Sequence, residues 1–407
     1  MEDVILFKNK VDCCGCGACA NICPQGAIKI KEDECGFLYP DIDKKKCVGC
    51  KLCKKACAYQ NKTPQNEPIK VFAAVNKNES QLMNSASGGV FSAIAKQILA
   101  DDGIVFGATL DFEKGHAVPH HVFVEKESEL YRLQGSKYVQ SAIGDMYIIA
   151  KQFLDEGRKV LFSGTPCQVA GLYSFLNKEY QNLVTIDLIC HGVPNAKFFD
   201  DYIQMETRKR KGKKVVGYSF RDKKKGWGMN ERIDIIDING KLKNIYVRAR
   251  ANSYNTLFLD GEIYRENCYE CKYATRLRVG DLTIGDYWGI EHEHPELLGK
   301  YGYEEKKGIS CILANSNKGL AICKESSDLL QMNESTFSKV SNRNGQLKKP
   351  SEKKESREKI LQLYSEYGYE KVEGWFRKKY MKQIIAHSIY NKIPRKVRIK
   401  LKKIVKG

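Results

Sequence analysis

Residues 12–24 read DCCGCGACANICP, with five cysteines (Cys13, Cys14, Cys16, Cys19 and Cys23) in thirteen residues. In a reducing compartment thiols at this density point to metal or redox chemistry rather than disulfides. Four of the five keep a Cys-x2-Cys-x2-Cys-x3-Cys rhythm ending on Pro24. The rhythm returns as Cys47, Cys50, Cys53 and Cys57, with Ala58 in place of the proline. Two-residue spacers let one tight loop reach three corners of a cubane; in two-run arrangements the fourth cysteine of each run serves the other cluster. The spacing therefore groups Cys13, Cys16, Cys19 and Cys57 on one 4Fe-4S cluster. Cys47, Cys50, Cys53 and Cys23 take a second. Cys14 and Cys35 are left over, and Cys14, off the rhythm, reads as a spare thiol. Paired zinc sites are the competing use of CxxC pairs, but zinc does not need two full runs of four.

Around this stretch the chain has 407 residues, 42% of them hydrophobic, enough for two or three soluble domains. No apolar run is long enough to span a bilayer. The opening MEDVILFKNKVD carries acidic residues and a four-residue apolar run, unlike a secretory signal. The expected location is cytoplasmic, with possible attachment to the inner membrane face through the C-terminus. The net charge of +19 is uneven: residues 374–407 hold twelve Lys or Arg and no acid, which leaves +7 for the rest. The body carries no DNA- or RNA-reading motif, so nucleic acid is not an expected partner. No serine-hydrolase elbow, Walker loop or HExxH occurs.

A polar linker, Asn61 to Lys70, separates ten cysteines from the remaining six. This predicts a ferredoxin-type domain over 1–62, a main domain over 68–345 (parts 68–150 and 151–345), and a basic helical tail over 346–407. The main domain reads as α/β, α+β for the chain overall. Val90, Phe91, Ile94, Ala95, Ile98 and Leu99 form one face of a helix that Ser87 is placed to cap. GIVFGATL and HHVFVE read as strands, and Ile143 to Glu156 as a helix ending before Gly157. KVLFSG and LVTIDLI suit buried strands. IDIIDI-NG-KLKNIYV reads as a hairpin in which Asn239-Gly240 supplies the positive φ angles of a tight turn.

Cys167 follows KVLFSG and Cys190 follows LVTIDLI. In open α/β sheets ligands collect beyond the carboxyl ends of strands. The two cysteines, with the pair Cys268-x2-Cys271, are candidates for a third 4Fe-4S cluster. The alternative is that Cys167 and Cys190 are small buried residues. Cys311 reads as a core strand residue and Cys323 as structural. His191, beside Cys190, is a candidate proton donor; a backbone hydrogen bond is its alternative use. His292 and His294 read as surface.

NSASGGVF at 84–91 places small residues ahead of a helix N-terminus, where backbone N–H groups can approach a phosphate. It is followed in order by GSKYVQS (135–141), SGTPCQVAGL (163–172), CHGVP (190–194), FRDKKKGWG (220–228) and CYECKYATRLRVGDLTIGDYWGI (268–290). Over about residues 70–345 this series resembles the family of beta subunits of coenzyme F420-reducing hydrogenases and dehydrogenases. The first sixty residues resemble a two-cluster ferredoxin fused in front. Members of that family, which includes a plant reductase of a chlorophyll derivative, bind FAD and an iron–sulfur cluster. They pass electrons between the cluster and a hydride-carrying substrate. The resemblance implies that Ser85, Ser87, Gly88 and Gly89 cradle the FAD phosphates and that Lys137 puts positive charge near the flavin. Arg221, Asp222, Trp227, Arg278, Asp281, Asp286 and Trp288 belong to matching motifs, as loop pins or substrate contacts.

The function expected is an iron–sulfur flavoprotein oxidoreductase. A flavin takes electrons singly and delivers hydride, which clusters alone cannot do. Its partners are ferredoxin or another redox partner and an organic or deazaflavin substrate. The alternative is a non-catalytic electron-transfer protein that feeds a partner enzyme. In the tail, Val397, Leu401, Ile404 and Val405 recur at helical spacing among lysines and arginines, after Trp375, Phe376, Tyr380, Ile384 and Ile385. That pattern suits an anionic membrane surface, or else a helix packed on the body with a solvated basic face.

Overall fold

The computed structural model describes residues 4–210, 213–247 and 250–392. Strands β1 (Ile28–Glu32) and β2 (Leu38–Ile42) form an antiparallel ribbon between the two cysteine runs. Each run wraps a short helix, Ala18–Asn21 or Leu52–Lys55, entered through a left-handed residue, Gly17 or Lys51. The duplication in sequence is thus a duplication in backbone.

The body is built on an eight-stranded sheet in the order β13-β3-β12-β11-β7-β6-β4-β5. The strands are β3 (Lys70–Asn76), β4 (Ile104–Glu113), β5 (His116–Val124), β6 (Val160–Gly164) and β7 (Leu183–Leu188). After a separate small sheet come β11 (Leu282–Asp286), β12 (Ser310–Ala314) and β13 (Leu330–Ser335). Its centre, β4-β6-β7-β11, is parallel, and both flanks are antiparallel. The α/β expectation holds for the centre. KVLFSG and LVTIDLI are its two inner strands, buried on both faces as near-continuous apolar runs must be. Alternation sends Ile104, Phe106, Val160 and Phe162 to one face and Val105, Leu161, Val184 and Ile186 to the other.

Helix α1 (Val90–Ala100) covers the second face. Helices α2 (Met146–Asp155) and α3 (Pro166–Leu176) cover the first. The cysteine-rich module lies on that first layer: Cys14, Cys16, Ala18, Ala58 and Tyr59 share one core with Tyr147, Val169 and Phe175. The small antiparallel sheet β8 (Lys214–Ser219), β9 (Glu231–Ile236), β10 (Leu242–Val247) packs with helix α4 (Ala196–Lys209) in a further core. The C-terminal helices α5 (Ser356–Tyr367) and α6 (Tyr369–Lys392) close it.

Three local expectations change. Helix α1 is capped by Gly89 at φ 77, not by Ser87, whose hydroxyl donates to the Ile309 carbonyl at 3.0 Å. The β9–β10 hairpin forms, but of the expected pair only Gly240 has positive φ. The Asp237 carboxylate accepts the N–H groups of Asn239 and Lys241 and makes a longer loop. A two-residue turn with both φ positive joins β4 to β5 instead, at Lys114-Gly115. In the tail, Phe376 and Tyr380 are buried, and Tyr380 donates to Asp260 at 3.0 Å. These two aromatics serve the body and are not free for a bilayer. Residues 393–407, with the apolar stripe from Val397 to Val405, lie outside the described residues.

Candidate redox centre and cavity

Glycines set the two cysteine loops. Gly15, Gly17 and Gly49 all have φ between 68 and 78, a region glycine enters without steric cost. The structure brings Cys13, Cys16, Cys19 and Cys57 together. Burial, with the neighbouring thiols, raises the pKa values of Cys13, Cys19 and Cys57. Cys23, Cys47, Cys50 and Cys53 line a second cavity. Among the described residues, no three His, Cys, Asp or Glu side chains stand close enough for a single metal ion. A cubane holds each thiolate on its own iron, so its ligands stand wider apart.

The body grips this module at its first cysteine set. Arg265, fully buried, donates to the Cys13 carbonyl at 2.9 Å and the Leu38 carbonyl at 2.7 Å, and its guanidinium lies 3.9 Å from the Tyr39 ring centroid. Gln140 donates to the Gly15 carbonyl at 3.3 Å, and Tyr273 to that of Ala58 at 3.1 Å. Gly171 of α3 packs on Cys16, where an added Cβ would stand 3.0 Å from its sulfur.

The remaining cysteines gather one layer further in. Cys167 opens α3 beyond β6, and Cys190 follows β7, its parallel neighbour. With Cys268 and Cys271 they line one cavity, and a fifth cysteine, Cys14, lines it too. Cys14 is 4% exposed and lies against both Cys16 and Cys167. The leftover thiol therefore stands between the first set and the third. Its misfit to the spacing rhythm hid this, and no sequence signal reveals it. The CxxC segment is held by a wholly buried ion pair. Arg278 meets Asp187 of β7 at 2.9 Å and also donates to the Tyr273 carbonyl, while Asp187 accepts the N–H groups of Val279 and Gly280. Asp281 likewise accepts from Thr185. Arg278 and Asp281 thus pin loops. Cys311 and Cys323 are buried in the cores, away from these sets.

Beyond the third set opens a cavity of about 290 Å³ at the carboxyl ends of β6, β7 and β11. Its wall includes Cys167, Cys190, His191, Asp286 and Trp288, and on other sides Ser85, Ser87, Gly89 and Lys137. Gly88 is not part of it. An added Cβ there would stand 2.3 Å from the Ala74 carbonyl oxygen and 2.6 Å from the Ser310 nitrogen, so Gly88 seats the loop on the sheet. The Ser85 hydroxyl donates to the Gln81 carbonyl at 2.7 Å. What the loop offers an anion is chiefly backbone: the first-turn N–H groups of an eleven-residue helix have no acceptor within it.

Two enclosed lysines flank the loop. Lys137 donates to the Arg132 and Gln134 carbonyls at 3.1 and 2.7 Å, and desolvation lowers its pKa to about 7. Lys223, unremarked within FRDKKKGWG, donates to the Leu82 and Ser87 carbonyls at 2.5 Å, and burial lowers its pKa likewise to about 7. His191 lines the cavity and keeps an exposed side, with its pKa shifted downward where it is desolvated. His121, also on the wall, lies between Ser141 and the Ser163 carbonyl and is held neutral, at about 4, by burial. FRDKKKGWG and GDYWG meet here: Arg221 pairs with Asp286 at 2.7 Å, and Trp227 stacks on Trp288 at 4.5 Å. Asp222 faces away, onto Arg232. His292 is exposed as expected. His294 is buried, bonded to Glu296 and Ser335, because the loop folds back on β13.

Comparison with known proteins places residues 157–339 in the family described as the C terminus of the coenzyme F420 hydrogenase/dehydrogenase beta subunit, and residues 12–61 in the 4Fe-4S dicluster domain. The first match includes Cys167, Cys190, His191, Cys268 and Cys271; the Ser85–Gly89 loop and Lys137 precede it. The chain is 22% identical over 304 residues to the F subunit of the F(420)H(2) dehydrogenase of Methanosarcina mazei, covering 71% of this chain and 81% of that one. It is 23% identical over 322 residues to an uncharacterized protein of Methanocaldococcus jannaschii, covering 70% and 82%. A solved structure of the F420-reducing NiFe hydrogenase complex from Methanosarcina barkeri aligns with TM-score 0.42 and 13% identity, over 75% of this chain and 90% of that one. Among the described residues no helix is long and apolar enough to cross a membrane.

Proposed function

We propose that this chain, which joins a 4Fe-4S dicluster domain to a domain of the coenzyme F420 hydrogenase/dehydrogenase beta-subunit type, is an iron–sulfur flavoprotein oxidoreductase. Clusters supply single-electron relay, and FAD supplies the conversion of single electrons to hydride for an organic substrate or a deazaflavin. The observation that carries the reading is continuity. Three cysteine sets follow one another from the surface of the module to the wall of the large cavity, and Cys14 lies between the first and third.

In this reading Cys13, Cys16, Cys19 and Cys57 hold one cluster and Cys23, Cys47, Cys50 and Cys53 a second. Cys167, Cys190, Cys268 and Cys271 hold the third, with Arg278 and Asp187 fixing the distance between CxxC and Cys190. The cavity fits a flavin dinucleotide by its backbone donors at Gly89 and the start of α1, by Lys137 on its wall and by its aromatic Trp288, while Lys223 supports the loop through the Ser87 carbonyl. Gly88 positions that loop from behind. A bound pyrophosphate would keep Lys137 protonated, by opposing the desolvation that lowers its pKa. His191 lines the cavity and offers its ring to a substrate group.

The test is anaerobic purification with iron, sulfide and flavin analysis. Eight to twelve irons are expected, as two or three cubanes require, together with FAD released on denaturation. Cys268→Ser with Cys271→Ser should remove about four irons and leave the two module clusters visible by EPR. Zinc in place of iron after anaerobic reconstitution, or a flavin-free protein, overturns the reading. The name of the Methanosarcina mazei relative, one component of a dehydrogenase, favours a second reading: an electron-transfer protein with no substrate of its own. A hydride-acceptor screen with the isolated protein separates the two. A redox protein partner belongs to both.

A further inference from the structure

We infer that the outer face of the second cysteine loop is a docking site for a small acidic electron-carrier protein. The inference rests on the cluster reading above and concerns where that chain of centres meets its partner. Of the sixteen cysteines, Cys50 alone is exposed; the other fifteen are buried or half-buried. Cys50 shares its cavity with Cys23, Cys47 and Cys53, the set furthest from the body, whereas the first set is covered by α3 and Arg265. Electron tunnelling falls steeply with distance, so a carrier must sit over this face.

The surface there has the composition of a transient interface. Val48 and Leu52, which line the cavity, remain 54% and 38% exposed. Around them Lys44, Lys45, Lys46, Lys51, Lys54 and Lys55 are all exposed. Residues 43–62 hold seven lysines and one acid (Asp43), a net +6, while residues 1–42 hold four lysines and seven acids, a net −3. Positive charge is therefore concentrated on the loop of the exposed cysteine and is not general to the module. An apolar centre with a rim of one sign steers an oppositely charged partner and lets it leave, as redox encounters require. A carrier of one-electron centres with an acidic surface meets both needs. One electron crosses per encounter: the carrier is oxidised by one and the chain reduced by one, or the reverse, and no bond forms or breaks.

The test uses the anaerobically reconstituted full chain, mixed in a stopped-flow instrument with a reduced, acidic two-cluster ferredoxin. The second-order rate constant should fall about tenfold or more as ionic strength rises from low to physiological and beyond. Lys45→Glu, Lys46→Glu and Lys54→Glu together should lower it about tenfold at low salt and flatten the salt profile. Reversals on the body, Lys300→Glu with Lys324→Glu, should leave it unchanged, as should any of these variants the reduction by dithionite. Equal rates in the triple variant, a flat salt profile, or anionic vesicles bound through this face while ferredoxin kinetics are unaffected overturn the inference alone. A chain with no dithionite-reducible iron–sulfur signal overturns the cluster reading and this inference with it.

Discussion

Cys14 shows how one residue's meaning depends on what folds against it. Its neighbours Cys13 and Cys16 stand with Cys19 and Cys57, while Cys14 lies against both Cys16 and Cys167. If it is not a ligand, Cys14→Ala should keep the full iron content. It should also shift the reduction potential of an adjoining cluster, since contacts to ligand sulfurs tune potential; redox titration by EPR measures both. Loss of about four irons would make Cys14 a ligand instead. Lys137 gives a pH prediction. In the folded chain its pKa is about 7, against about 10.4 for a free lysine. Between these values the unfolded chain holds a proton that the folded chain has released, so stability rises with pH across that window and the penalty is greatest below 7. Lys137→Met should reduce this slope in urea titrations of cofactor-free protein at pH 7, 8.5 and 10. An unchanged slope would place the lysine in a solvated environment.

At the level of elements, the loop before α1 is a sheet contact first and a cradle second. Gly88→Ala would drive a Cβ into the Ala74 and Ser310 backbones, so the unfolding free energy should drop by about 3 kcal/mol or more. Cofactor-free urea unfolding measures this without reference to flavin. A variant as stable as the parent would move Gly88 back to the cavity wall. The same region shows what was legible in sequence. The apolar period of α1 and the apolar runs of β6 and β7 are local signals, and each element formed where it was read. The cap of α1 differs because the Ser87 hydroxyl donates to the distant Ile309 carbonyl, and the β9–β10 turn differs because the Asp237 carboxylate accepts the nearby backbone N–H groups.

At the scale of the whole molecule, the module and the body are one packed unit, since Tyr59 and Cys16 sit in the same core as Tyr147 and Phe175. The linker at 61–70 marks a change of composition and not a gap in packing: Asn66 pairs with Arg278 across it. Helix α6 is part of this unit, so the basic tail is best tested by truncation after Lys392, which spares Phe376 and Tyr380. If the last fifteen residues bind an anionic surface, the full chain should sediment with anionic vesicles in a salt-sensitive way and the truncated chain should not. Equal partition of the two into the supernatant would show that those residues are not an anchor.

Legible along the chain were the two cysteine runs and their cross-shared grouping, the buried strands β6 and β7, and the candidate set of Cys167 and Cys190 at strand ends with the Cys268–Cys271 pair. These follow from spacing and periodicity, which are properties of short segments. Packing alone places Cys14 between two sets, sets Lys223 under the Ser85–Gly89 loop and turns Gly88 to the sheet. It also lets Arg265 clamp the module. Each of these joins positions far apart in the chain, and a contact of that kind is set by how sheet, helices and module pack, which no local pattern encodes.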